Sequence, residues 1–132
     1  MKKLFLLFLS SVIAVMSIGC MKKTFPFHQE VAEITSVEIV EAQSSKEFTV
    51  KCSVSSDEID DFIVKLQKIK FGKSIGDPIS IHGNAIKITY ANDDYEIITH
   101  FASEYVENDV AYLLFVYCDE EEFNDLIFKY SD

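Results

Sequence analysis

The chain has no arginine. Its twelve basic residues are all lysine and face twenty-two Asp and Glu, for a formal net charge of −10. Affinity for a phosphate backbone is assembled from Lys and Arg, so nucleic acid drops out as a partner class. With three cysteines and three histidines, none at zinc-ligand spacing, a zinc site is not expected. The chain carries no D-x-[DN]-x-[DN]-G calcium loop and no G-x-S-x-G nucleophile elbow. Gly72-Lys73-Ser74 matches the end of a phosphate-binding loop, but that loop needs glycine where Gln67 stands. There is no internal repeat and no low-complexity stretch. No cofactor is expected.

What the chain does have is an apolar start. Lys2 and Lys3 precede a run from Leu4 to Ile18, closed by Gly19 and Cys20, which is the three-part plan of a secretory signal peptide. A helix needs about twenty apolar residues to span a bilayer, so the run reads as a signal rather than a permanent span. Ser17-Ile18-Gly19-Cys20 resembles the lipobox of bacterial lipoproteins, with Ser17 where that box prefers an aliphatic residue. The resemblance implies cleavage before Cys20, lipid on its sulfur and an extracytoplasmic, membrane-anchored product. An ordinary cleaved signal fits the same junction, since Ser17 and Gly19 satisfy the small-x-small rule, and an uncleaved anchor is a third reading. Each buried CH₂ contributes about 0.8 kcal/mol, so two acyl chains hold firmly where one holds reversibly. Lys22 and Lys23 would add attraction to anionic lipid.

The expected organisation is therefore a signal peptide over 1–19, a lipidated tether over 20–32 and a single α+β domain over 33–132. From Cys20 onward ten lysines oppose twenty-two acidic residues, a net charge near −12. Such a surface favours basic or cationic partners. The tether contains Pro26 and shows no period; Phe25 and Phe27 either fold back onto the domain or dip into the membrane interface. Cys52 and Cys118 leave two states open: a disulfide formed outside the cytoplasm, or two buried thiols.

Along the domain, Ile34 to Glu41 is β-branched and roughly alternating, and reads as a strand. Glu47 to Val54 alternates cleanly, with Phe48, Val50, Cys52 and Val54 on one face. Ser55 and Glu58 form a capping-box pattern ahead of a helical stripe of Ile59, Phe62, Ile63, Leu66 and Ile69. Phe71 to Pro78 reads as a loop, and Ile79 to Ile81 as a short strand. Ala85–Tyr90 and Tyr95–Ala102 read as strands joined at Ala91-Asn92-Asp93-Asp94. A two- or four-residue loop there puts Ile86, Ile88 and Tyr90 on one face with Tyr95, Ile97, Thr99 and Phe101, and leaves Glu96 and His100 on the wet face. Ser103 to Asp109 reads as a polar turn. Val110 to Cys118 is apolar on both faces, as a strand would be in the middle of a sheet covered on both sides, or beside something that covers it later. Asp119 and Glu122 cap a closing helix striped by Phe123, Leu126, Ile127 and Tyr130. The order β-β-α-β-β-β-α implies an antiparallel sheet of about five strands with two helices packed on one face. Ala85 to Ile98, AIKITYANDDYEII, resembles stretches in small uncharacterised lipoproteins of low-GC Gram-positive bacteria.

For chemistry, His28, His82 and His100 fall in the tether, a loop and a strand, and read as solvated or locally bonded. Asp60-Asp61, Asp93-Asp94 and Asp119 to Glu122 read as a helix face, a hairpin tip and a helix start. Tyrosines furnish both cores and recognition surfaces, so Tyr90, Tyr95, Tyr112 and Tyr117 are candidates for a binding surface, with core packing as the alternative. The function expected is a non-catalytic binding module on the membrane, ligand unspecified. The second class is an inhibitor or immunity-type protein that sets acidic residues against a basic site on an exported enzyme or toxin. A small hydrolase ranks last.

Overall fold

The structure, a computed structural model, describes residues 23–73, 80–114 and 116–131. The expected signal peptide and Cys20 lie outside these. Among the described residues a 3-10 turn (Val31–Glu33) is followed by eight strands and two α-helices in order: β1 (Ile34–Ala42), β2 (Phe48–Ser53), α1 (Ile59–Lys68), β3 (Gly72–Lys73), β4 (Gly83–Tyr90), β5 (Tyr95–Ile98), β6 (Ser103–Glu107), β7 (Val110–Leu114), β8 (Val116–Tyr117) and α2 (Glu120–Lys129). The main sheet is six-stranded and antiparallel in the order β2-β1-β4-β5-β6-β7, and β3 pairs β8 separately.

The α+β class is as expected, with one strand more in the sheet. Phe62, Ile63 and Leu66 of α1 and Phe123, Leu126 and Ile127 of α2 share one buried cluster with Val37, Ile39, Ile86, Ile88 and Ile98 of the sheet, so both helices cover one face. A smaller cluster on the opposite face holds Val40, Ala42, Ile81, Ala85 and Ile97. There Lys87 lies 4.8 Å from the ring centres of both Phe48 and Tyr95, and its apolar stem covers the sheet while the ammonium reaches Glu38 at 3.6 Å.

Several local expectations change. Gly72–Lys73, expected in a loop, is strand β3, and Ser80 and Ile81, expected in a short strand, lie in none; residues 74–79 of both readings lie outside the described residues. The β4–β5 connection leaves five residues, 90–94, between the paired Thr89 and Tyr95. Side chains alternate with period two, so an odd count exchanges the faces of the second strand: Ile88 sits opposite Glu96, and Ile86 opposite Ile98. A register shift between Ile39 and Val40 turns Cys52 toward the helices with Ile39, while Val50 pairs with Val40 on the other face. The segment expected to turn at 103–109 is strand β6, and the turn itself is only Asn108-Asp109, with φ of 50° and 65°. Two consecutive positive φ values make the type I′ turn that fits the twist of a hairpin, and Asn and Asp tolerate them. The run Val110 to Cys118 is not a central strand: β7 is the sheet edge, and β8 leaves to pair with β3.

The helix starts also differ. Ser55 bonds the Asp57 carboxylate at 2.7 Å rather than capping, and α1 begins only at Ile59 after a turn closed by Glu58 N–H on the Ser55 carbonyl. At α2 the cap forms as expected, Asp119 accepting from the Glu122 amide at 3.0 Å.

The described part of the expected tether is folded against the domain. Lys23 and Phe71 exchange both backbone hydrogen bonds. Phe25 is 2% exposed and meets Phe27 and Phe71 edge-to-face, with ring centres 5.1 and 5.3 Å apart. Removing a buried phenyl ring costs about 3–5 kcal/mol through lost transfer energy and the cavity left. Phe25→Ala is therefore expected to lower the urea unfolding free energy by about that amount, whereas a loose tether would leave it unchanged.

Candidate functional site

The register exchange sends a carboxylate into the helix-covered face. Glu96 is 2% exposed and is held by two donors, the Tyr90 hydroxyl and the backbone amide of His28 at 3.1 Å. Burial pushes the Glu96 carboxyl up from its ordinary value, opposed by those two hydrogen bonds and by the nearby His28. Burial and the facing carboxylate also hold the Tyr90 hydroxyl well above its usual range.

The same network continues outward. The His28 ring stacks on Tyr105 at 3.7 Å, and the Tyr105 hydroxyl donates to Asp94 at 2.6 Å and accepts from Gln29 at 2.8 Å. Burial, then the Asp94 bond, pushes Tyr105 up to about 12. His28, Gln29 and the hairpin tip thus clamp the N-terminal segment to β4, β5 and β6. Asp94 is consumed in this clamp. Asp61, likewise, accepts from Lys65 at 2.7 Å and from Tyr130 at 2.6 Å, and these bonds, Lys65 first, hold its carboxyl below the ordinary value.

The third acidic group is placed differently. Asp119, Glu120, Glu121 and Asp125 line an open depression of about 480 Å³ with Asn124 and Phe128, and Phe128 is 62% exposed. Among the described residues the basic side chain within ion-pair distance of these carboxylates is His100, its Nε2 3.9 Å from Glu120. No lysine ion pair is formed to them there, in contrast to Asp61, Glu38 and Glu41. Chemically the depression offers several carboxylates without a lysine ion pair around one exposed aromatic ring, which suits a cationic or mixed apolar-basic partner.

The remaining candidates are dispersed. Tyr90 is fully buried on the helix side. Tyr95 lies on the opposite face, its hydroxyl donating to the Ser45 carbonyl at 2.9 Å. Tyr112, on edge strand β7, and Tyr117, in the small sheet, are 52% and 42% exposed. The four tyrosines do not form one surface. No disulfide joins Cys52 to Cys118; Cys52 faces the helices through the β2 irregularity and donates to the Tyr130 carbonyl at 3.0 Å. His82 Nδ1 meets the Ser80 carbonyl at 2.9 Å. His100 sits beside Phe101 and Phe123, and Cys118, 4% exposed, meets it through a backbone bond of 2.8 Å. Among the described residues no cluster of His, Cys, Asp and Glu is arranged to hold a metal ion, and no helix is long and apolar enough to cross a membrane.

Comparison with protein-family models, curated proteins and solved structures finds no match to the chain.

Glu96 gives the site a signed pH dependence. Its folded value is raised above the unfolded one, so the folded state holds the proton more tightly. That contribution is fully present below the ordinary carboxylate value and is lost as pH rises through the raised one. Urea unfolding of the native chain between pH 4 and 8 is expected to show this loss relative to Glu96→Gln, at up to about 1.4 kcal/mol per pH unit. Parallel profiles for the two chains would contradict it.

Proposed function

We propose that the protein is a membrane-anchored extracytoplasmic lipoprotein, held through lipid on Cys20, whose domain is a non-catalytic interaction module for a cationic exported protein or envelope component. The observation that carries the partner's chemistry is the α2 depression, where Asp119, Glu120, Glu121 and Asp125 surround the exposed Phe128. The anchor is argued from Ser17-Ile18-Gly19-Cys20. If Cys20 carries the lipid, the three peptide units to the docked Lys23 reach at most about 11 Å. The domain then sits against the bilayer rather than ranging on a long leash.

A second reading, an inhibitor or immunity-type protein, gains from the same depression, because its carboxylates are contiguous on one helix face. The two separate on the partner: an inhibitor's target loses enzymatic or toxic activity when bound, whereas a binding module's partner does not.

Two measurements test the proposal. Intact mass of the native product is expected to show lipidated Cys20 as the first residue; a bare Cys20, or a retained leader, contradicts the anchor. Crosslinking at the cell surface is expected to yield a basic partner, recovered several-fold less with Glu120→Gln, Glu121→Gln and Asp125→Asn combined, a set that spares the Asp119 cap. Undiminished recovery contradicts the acidic face as the contact.

A further inference from the structure

The sheet has two edges, and they are built differently. At β2 the edge carries Lys51, paired with Glu41 at 3.9 Å, and the register shift opposite it twists the strand. Charge and irregularity are how natural sheets block unwanted strand addition. At β7 the edge is VAYLL, with no charge, proline or irregularity in its pairing to β6. Val110, Tyr112 and Leu114 are 52%, 52% and 40% exposed and lie on one side, as alternate residues of a strand.

Among the described residues no strand pairs with that edge. In a two-residue I′ hairpin the closing pair, Glu107 and Val110, exchanges both hydrogen bonds, and the bonded pairs then alternate along the ladder. Val110, Tyr112 and Leu114 thus bond back to β6, and the N–H and C=O of Ala111 and Leu113 point outward. Among the described residues β7 has a neighbouring strand on one side only.

We propose that β7 is a strand-addition site for an extended segment of a second protein, with apolar side chains at alternate positions and Lys or Arg at the end that lies beside Asp109. This rests on the reading of the protein as an interaction module for cationic partners and adds the form of the segment that docks. The sign comes from the hairpin tip. Glu107 and Asp109 are exposed there, and among the described residues the lysine bonded at the tip is Lys46, whose ammonium meets the Asp109 carbonyl rather than a carboxylate; Glu104, half-exposed, follows along the strand opposite Leu113. An antiparallel guest brings its C-terminal end to Val110, so its basic residues belong at that end. A second copy of this chain is disfavoured on the same ground, since it brings a net charge of −10 to an acidic tip.

The probe is a fluorescein-labelled peptide, TVTVTVKK, titrated by anisotropy into the full chain in detergent micelles at low salt, beside its acidic counterpart TVTVTVEE. The basic peptide is expected to bind at least about tenfold more tightly than the acidic one. Ala111→Pro, which removes an outward N–H while sparing the bonds to β6, is expected to weaken it about tenfold. Tyr112→Lys places a like charge on an exposed position and is expected to do the same, so the result does not hang on one variant folding. Combined Glu120→Gln, Glu121→Gln and Asp125→Asn is titrated beside them: binding lost in that variant and kept in Ala111→Pro would assign the peptide to the α2 contact and overturn the edge, while failure of the α2 contact alone leaves the Ala111→Pro result standing; the anchor plays no part. Equal binding of both peptides, binding indifferent to Ala111→Pro and Tyr112→Lys, no binding at all, or a concentration-dependent dimer abolished by Ala111→Pro would each overturn the proposal, the last assigning the edge to a second copy.

Discussion

A buried carboxylate fastens the N-terminal segment to the sheet, and the rest of the arrangement depends on how it is held. Glu96 has little contact with water, and an unpaired ionised group in such a place would cost several kcal/mol. It is tolerated because the Tyr90 hydroxyl and the His28 amide both donate to it. Each donor comes from a different part of the chain, so the carboxylate ties β4, β5 and residues 23–33 together. The ring stack of His28 on Tyr105 and the Lys23–Phe71 bridge fix the same segment at two further points. A stretch that composition presents as a leash becomes part of the domain.

The parts legible in the sequence were those governed by local periodicity. The stripes of Phe62, Ile63 and Leu66 and of Phe123, Leu126 and Ile127 mark helices that bury those residues, and β1, β2 and the Asp119 cap follow from alternation and capping chemistry. The parts that were not legible turned on counting. One extra residue in the 90–94 connection reverses β5 and moves Glu96 from a wet face to the core. One register shift splits Cys52 from Val50. Alternation cannot reveal either, because both leave the pattern of each strand intact and change only which way it faces.

The break after β7 was hidden for another reason. VAYLLFVYC reads as one buried strand because it is apolar throughout, yet Val110–Leu114 is a sheet edge with half-exposed side chains and Val116–Tyr117 belongs to a different sheet. Apolar content marks where burial is available, not where it is taken up. The Asn108-Asp109 turn was the one local signal that pointed to a hairpin there, through two residues that accept positive φ. The α2 depression was legible as an acidic helix start and not as a surface, since the exposure of Phe128 depends on which face of α2 the core uses. With residues 23–33 docked, two features stay exposed among the described residues: the β7 edge, beside the acidic Asn108-Asp109 turn, and the carboxylates of α2 around Phe128.

Amide hydrogen exchange at His28 tests the central claim most directly, because that N–H reaches Glu96 only if β5 is reversed and the segment is docked together. The account predicts protection at His28 that approaches that of the β4 amides and falls on Glu96→Ala. Exchange of the His28 amide at the rate of an unstructured chain would contradict it.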